Sequence, residues 1–107
     1  MNLKELLSNT NSHSIYLFER DGNIIDSYPK ESNKTAENIT AFSATVFNMA
    51  QHFFTDFFES ELSNLTIKSN KKNIALIKLD DFIICFFSDK NMNLGVLELS
   101  LRKELNK

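Results

Sequence analysis

Ser14-Ile-Tyr-Leu-Phe-Glu-Arg-Asp-Gly-Asn-Ile-Ile25 is the stretch that decides the fold. Ser14–Phe18 and Ile24-Ile25 are rich in β formers, and Arg20-Asp-Gly-Asn23 separates them. Asp-Gly between two apolar runs is a strong hairpin signal, because Gly22 and Asn23 accept positive φ cheaply. Strands are expected at about 13–19 and 23–28, with Pro29 stopping the second, since proline cannot donate to a ladder.

Working outward, Glu31-Ser-Asn-Lys-Thr35 is a polar loop offering the helix N-caps Ser32, Asn33 and Thr35. From Ala36 the pattern is helical to about Phe54 or Phe58. Wound at roughly 100° per residue, its apolar side chains cover an arc of roughly 180°, where a helix on a sheet usually needs about 100°. Residues 2–8 predict a short helix with Leu3, Leu6 and Leu7 on one side, and 8–12 a loop. Further strands are expected at 62–69, at Ile74-Ala-Leu-Ile-Lys-Leu79 and at Phe82-Ile-Ile-Cys-Phe-Phe87. Asn70–Asn73 and Asp80-Asp81 read as turns and 88–93 as a capping loop. Leu94, Leu97, Leu101 and Leu105 form a helical stripe, with Arg102 and Lys103 complementing the helix dipole. The order α-β-β-α-β-β-β-α is an α+β fold. It predicts a five-stranded antiparallel sheet, the long central helix on one face and the terminal helices on the other.

Composition sets the bounds. The chain has 107 residues, which predicts a single domain over 1–107. A domain this size buries roughly two-thirds of the surface its unfolded chain exposes. Ten Phe and 42% hydrophobic residues exclude disorder. One Cys excludes an intrachain disulfide framework, and two Gly exclude the glycine-rich nucleotide loops. Net charge −2 gives little attraction for nucleic acid or an anionic membrane. No apolar run approaches the roughly 20 residues that span a bilayer, and no apolar signal segment follows Met1. Asn33, Asn38 and Asn64 begin glycosylation-type triplets, read as chance matches. A cytoplasmic protein is expected.

The hairpin Tyr16-Leu-Phe-Glu-Arg-Asp-Gly-Asn-Ile-Ile25, the Ala36–Met49 helix and the ending Asp89-Lys-Asn-Met-Asn-Leu-Gly-Val-Leu-Glu-Leu-Ser-Leu-Arg-Lys103 resemble the roadblock/dynein light-chain family. The Asn93-Leu94-Gly95 step into the last helix is a recurrent feature there, and the resemblance runs from about Leu3 to Leu105. It implies a roadblock, or profilin-like, fold and a non-enzymatic dimer. It also implies that the long helices and third strands of two copies pair, joining two sheets into one. Family members bind Ras-like small GTPases or related domains of their regulators, and some act in dynein cargo attachment. Single-domain bacterial members resemble partners of gliding-motility and polarity GTPases. The central helix departs from the family in its richness in Phe, where small residues such as Ala are commoner.

Chemistry has few candidates. His13 and His52 lie on different elements, and Cys85 is the one thiol, so a zinc site lacks ligands at usable spacing. Cys85 sits in an apolar strand, where burial raises a thiol pKa and leaves it inert. Asp80 and Asp81 point to opposite sides of a strand start and read as a turn. Asp21-Gly22 lacks the other positions of a calcium loop. Arg20 and Arg102 are the only arginines able to enter a phosphoryl-transfer site. They read as a hairpin-tip residue and a dipole-complementing residue. Lys68, Lys71, Lys72 and Lys78 cluster near a turn without interleaved aromatics, which does not make a nucleic-acid surface. No catalytic site, cofactor or metal is expected.

The wide apolar arc points instead to an interface, because several exposed Phe would form a contiguous patch. The dimer interface is placed at Phe42, Val46, Met49 and Phe53, with Leu65 and Ile67 of the third strand. The charge-poor polar arc Thr45, Asn48, Gln51, His52 and Thr55 is the expected partner surface, since charge is depleted at interface cores. Three functions remain open. One is a dimeric module that docks a Ras-like small GTPase. Another is a scaffold that assembles only with a roadblock-like chain. The third is a PAS-like small-molecule sensor, which needs a pocket above roughly 300 Å³.

Overall fold

The structure is a computed structural model and describes residues 1–89 and 92–107. The elements are α1 (Leu3–Thr10), β1 (Ser14–Glu19), β2 (Ile24–Tyr28), α2 (Asn33–Phe58), β3 (Asn64–Lys68), β4 (Asn73–Leu79), β5 (Phe82–Ser88) and α3 (Leu94–Leu105). Lys90 and Asn91, in the middle of the expected 88–93 loop, lie outside the described residues.

The strands make one antiparallel sheet in the order β2-β1-β5-β4-β3. Alternation along the strands splits the core in two. Ile15, Ala75, Ile77, Ile84 and Phe86 meet Leu3 and Leu6 of α1 and Leu97 and Leu101 of α3. Tyr16, Phe18, Leu76, Ile83 and Cys85 meet Ala36, Ala44 and Phe47 of α2 on the opposite face. The expected layering is therefore present, with α2 alone on its side.

Local differences have local causes. α1 runs on to Thr10, because Asn2 caps its start and the left-handed Asn11 (φ 55°) closes its end. α2 starts at Asn33, before Ala36, since the Ser32 side chain accepts from the Thr35 amide. In the hairpin only Gly22 takes positive φ (97°), and Asn23 does not. The Asp21 carboxylate holds Asn23 instead, accepting from its amide at 3.0 Å and its side chain at 2.9 Å. A register shift between Leu17 and Phe18 then turns Ile25 outward. β3 begins at Asn64, so Leu62 enters the core from the connecting segment and not from a strand. Leu105 does not complete the α3 stripe; it is exposed past the edge of the core.

Candidate interaction surface

α2 is unusual in what its flanks do. Ala36, Thr40, Ser43, Ala44 and Phe47 are buried against the sheet. Small residues dominate that set, so the helix lies close. Ser43 reaches Cys85, and burial pushes that thiol up, well above its ordinary value. Cys85 is a packed, protonated core residue.

One flank of α2 is fastened to the rest of the chain. The hairpin tip rests on it, since a Cβ at Gly22 would stand 3.2 Å from Ala41 Cα. Asn48 donates to the Arg20 carbonyl at 2.9 Å. Gln51 accepts from the Leu62 amide at 2.9 Å and donates to Thr55 Oγ1 at 2.8 Å. Thr45 Oγ1 donates back to the Ala41 carbonyl. Three members of the expected partner arc, Asn48, Gln51 and Thr55, thus hold the hairpin and the α2–β3 connection. This is a physical reason for a polar, charge-poor surface that the sequence pattern did not disclose. His52 is exposed and makes no hydrogen bond or ion pair among the described residues.

The opposite flank is bare. Phe42 is 74% exposed, Met49 68%, Phe53 50% and Val46 39%. Phe57 continues the stripe at 72%. Ala44, under the hairpin, lies roughly 140–180° around the helix from Phe42, Val46, Met49 and Phe53. The stripe therefore lies on the flank of α2 opposite the one that the hairpin and the Leu62 connection fasten. On the edge strand the α2 face of the sheet is only partly covered: Leu65 is half-buried and Ile67 exposed, beside the half-buried Ile74 of β4. Of the six residues expected at an interface, four lie bare on one flank of α2, and Leu65 and Ile67 lie on the edge strand of the same sheet face. Taking roughly 200 Å² for a large side chain, the α2 stripe alone leaves on the order of 600 Å² uncovered. That is at the upper end of patches on monomers.

Several other titratable groups have structural partners. Asp89 binds Lys72 at 2.8 Å and His13 at 3.1 Å, and the Lys72 ammonium holds its carboxyl below the usual range. Lys78 stands at the far end of β4 from Lys72 and joins Arg20 in an open cleft of about 470 Å³; the four lysines do not form one cluster. Asp80, in the left-handed region (φ 49°), and Asp81 make the expected β4–β5 turn. Tyr16 donates to the Glu31 carboxylate across the start of α2; burial first, then that carboxylate, raises its pKa. Among the described residues no group of three His, Cys, Asp or Glu side chains is placed to hold a metal ion. Among them, too, no helix is long and apolar enough to cross a membrane.

A family model of the Roadblock/LC7 domain matches residues 1–87. The chain belongs to the Roadblock/LC7 family. Its fold is similar to that of MglB from Myxococcus xanthus, with a TM-score of 0.79 at 17% identity over 92% of this chain and 80% of that one. A Roadblock/LC7 domain from Streptomyces avermitilis superposes with a TM-score of 0.82 at 10% identity, covering 98% of this chain and 95% of that one. Acanthamoeba castellanii profilin IB matches more distantly, at a TM-score of 0.59 and 13% identity over 96% of this roadblock chain and 89% of its own. No curated relative matches this roadblock chain by sequence.

Proposed function

We propose that this roadblock chain is a non-enzymatic, dimeric interaction module of the cytoplasm. It binds a Ras-like small GTPase and localises it or regulates its nucleotide cycle. The observation that supports the dimer is the bare apolar flank of Phe42, Val46, Met49 and Phe53 on α2, with Leu65 and Ile67 on the same face of the edge strand β3. Its occupant is a second copy or a related roadblock chain. Family membership, together with the resemblance to single-domain GTPase partners, supports the GTPase as ligand.

The docking face in this reading is the polar flank of α2. Asn48, Gln51 and Thr55 shape it, and Thr45 and His52 are the groups whose substitution spares the hairpin and the α2–β3 connection. A sensor finds no support: Tyr16, Phe18 and Phe47 fill the layer between α2 and the sheet, and the large hollows are open surface clefts lined mainly by polar and charged residues.

The test is affinity capture from the native cytosol, followed by binding of any recovered small GTPase in its GDP- and GTP-analogue-loaded forms. Thr45→Arg with His52→Glu is expected to weaken that binding at least tenfold while the dimer mass is unchanged. Capture of roadblock chains alone, with no GTPase in either nucleotide state, would leave the scaffold reading in its place.

A further inference from the structure

The sheet ends in two edge strands, β2 and β3. We infer that β2 carries its own guard, Asp26 with Lys30, which closes that edge to any further strand. The inference does not rest on the dimer reading, since it concerns the edge opposite β3, whichever chain covers α2.

An edge strand shows unpaired amides and carbonyls to any extended chain that approaches it. β3 has the ordinary pattern. The Lys78 amide donates to the Ser63 carbonyl and the Ser69 amide to the Lys72 carbonyl, both at 3.0 Å. Bonded pairs alternate along an antiparallel ladder, so Asn64, Thr66 and Lys68 aim their backbone groups outward, two residues apart. β2 breaks that repeat. The Glu19 amide donates to the Asn23 carbonyl at 2.9 Å, so this pair bonds and the next, Phe18↔Ile24, does not. The register then shifts by one, and Ile25 and Asp26 together oppose Leu17. Outward groups therefore fall at Ile24 and next at Ser27, three residues apart. A regular partner strand repeats every second residue, so it can match one of these positions but not both.

Side chains close what the repeat leaves open. The Ser27 amide donates to Asp26 Oδ1 at 2.8 Å. A side chain thus takes the bond that an added strand would need. Lys30 Nζ donates to the same oxygen at 2.7 Å, which holds the carboxylate over the amide and sets an ammonium beside the edge. Charge at an edge, lysine above all, opposes strand pairing. The next outward position, just past the strand, is Pro29, which has no amide to offer. A capped amide, a missing amide and a broken repeat therefore act on one five-residue strand. A sheet open at both edges can add copies without limit, whereas a sealed edge stops growth on its side and keeps the assembly finite.

Asp26→Ala removes the cap, while Asp26→Asn keeps an oxygen for the Ser27 amide. Amide exchange followed by nuclear magnetic resonance reads the cap. The Ser27 amide is expected to exchange about tenfold faster in Asp26→Ala than in the wild type or Asp26→Asn, with the β5 amides unchanged. Light scattering over a concentration series reads the consequence. Asp26→Ala is expected to grow into species heavier than the wild-type state, at concentrations where the wild type and Asp26→Asn hold a constant mass. Ile25→Lys added to Asp26→Ala is expected to abolish that growth, because it puts a charge on the exposed bulge residue of the same edge. Equal Ser27 exchange in all three chains overturns the cap. An Asp26→Ala chain that keeps the wild-type mass at millimolar concentration, or growth that Ile25→Lys does not reverse, overturns the guard. If Asp26→Ala loses protection at the β5 amides, Lys30→Ala, which lies outside the strand, takes its place. It is expected to move both readouts in the same direction, and no change in either overturns the guard equally.

Discussion

Phe42→Glu separates the interface from the fold better than any other substitution on α2. Phe53 is the tempting target, but its ring lies against those of Phe54, Phe57 and Phe58, with centroids 5.1–5.7 Å away. Changing it disturbs the protomer as well as the contact. Phe42 is 74% exposed and has no ring contact among the described residues. Of a side chain of roughly 200 Å² it leaves about 150 Å² to be covered by a partner. At about 25 cal/mol per Å² that burial is worth on the order of 3–4 kcal/mol, and a symmetric dimer contains it twice. Glu adds an unpaired charge facing an apolar surface. Area converts poorly to affinity, so half of this figure is the safer expectation. It still weakens dimerisation by about a thousandfold. In the protomer the change is an exposed helical substitution, with an effect within about 0.5 kcal/mol. Light scattering over a concentration series should show wild-type dimer and Phe42→Glu monomer, and far- and near-ultraviolet circular dichroism should show both folded. A Phe42→Glu chain that keeps the dimer mass at low micromolar concentration would refute the assignment of this flank.

Gln51→Ala should destabilise the protomer by about 1–3 kcal/mol in urea denaturation, because it strands the part-buried Leu62 amide without its 2.9 Å acceptor; an unchanged midpoint would mean that water replaces the side chain. Acid should weaken the fold through carboxylates held below their ordinary range: Asp26 by Lys30, Asp89 by Lys72, and Glu104 by the Asn2 amide. A depressed folded pKa gives stability that is present above the unfolded value, near pH 4, and lost as pH falls through the folded value. Melting temperature should therefore fall steadily below about pH 4, less steeply in Asp89→Asn and Glu104→Gln; a flat profile down to pH 3 would contradict the pairing.

What the sequence disclosed was local. Asp21-Gly22, the long period of α2 and the stripe Leu97–Leu101 each depend on neighbours within a few residues, and each is where the pattern put it. Strand order is not local: nothing in the residues of β5 announces that it sits between β1 and β4. The wide apolar arc holds both buried and exposed rings: Phe47 packs inward and Phe42 does not. Part of the polar arc also has a structural duty that the pattern did not disclose, for a related reason. Asn48 and Gln51 bond partners 28 and 11 residues away. Their purpose becomes visible only once the hairpin tip and the connection after Glu59 come to rest on the same flank.

The concentration of Phe at one end of α2 has a geometric consequence. Phe54 and Phe58 lie on the same azimuth as the fully buried Phe47, seven and eleven residues on, yet they are 37% and 61% exposed. Position around the helix cannot explain the difference; position along it does. The residues of α2 buried against the sheet all lie between Ala36 and Phe47, and Asn48 already bonds Arg20, just past the end of β1. Small residues seat that half on the sheet, and the exposed rings of Phe53, Phe54, Phe57 and Phe58 follow it. Under the dimer proposed above, a partner chain on this flank would give Phe53 and Phe57 the apolar neighbours that the protomer alone does not supply.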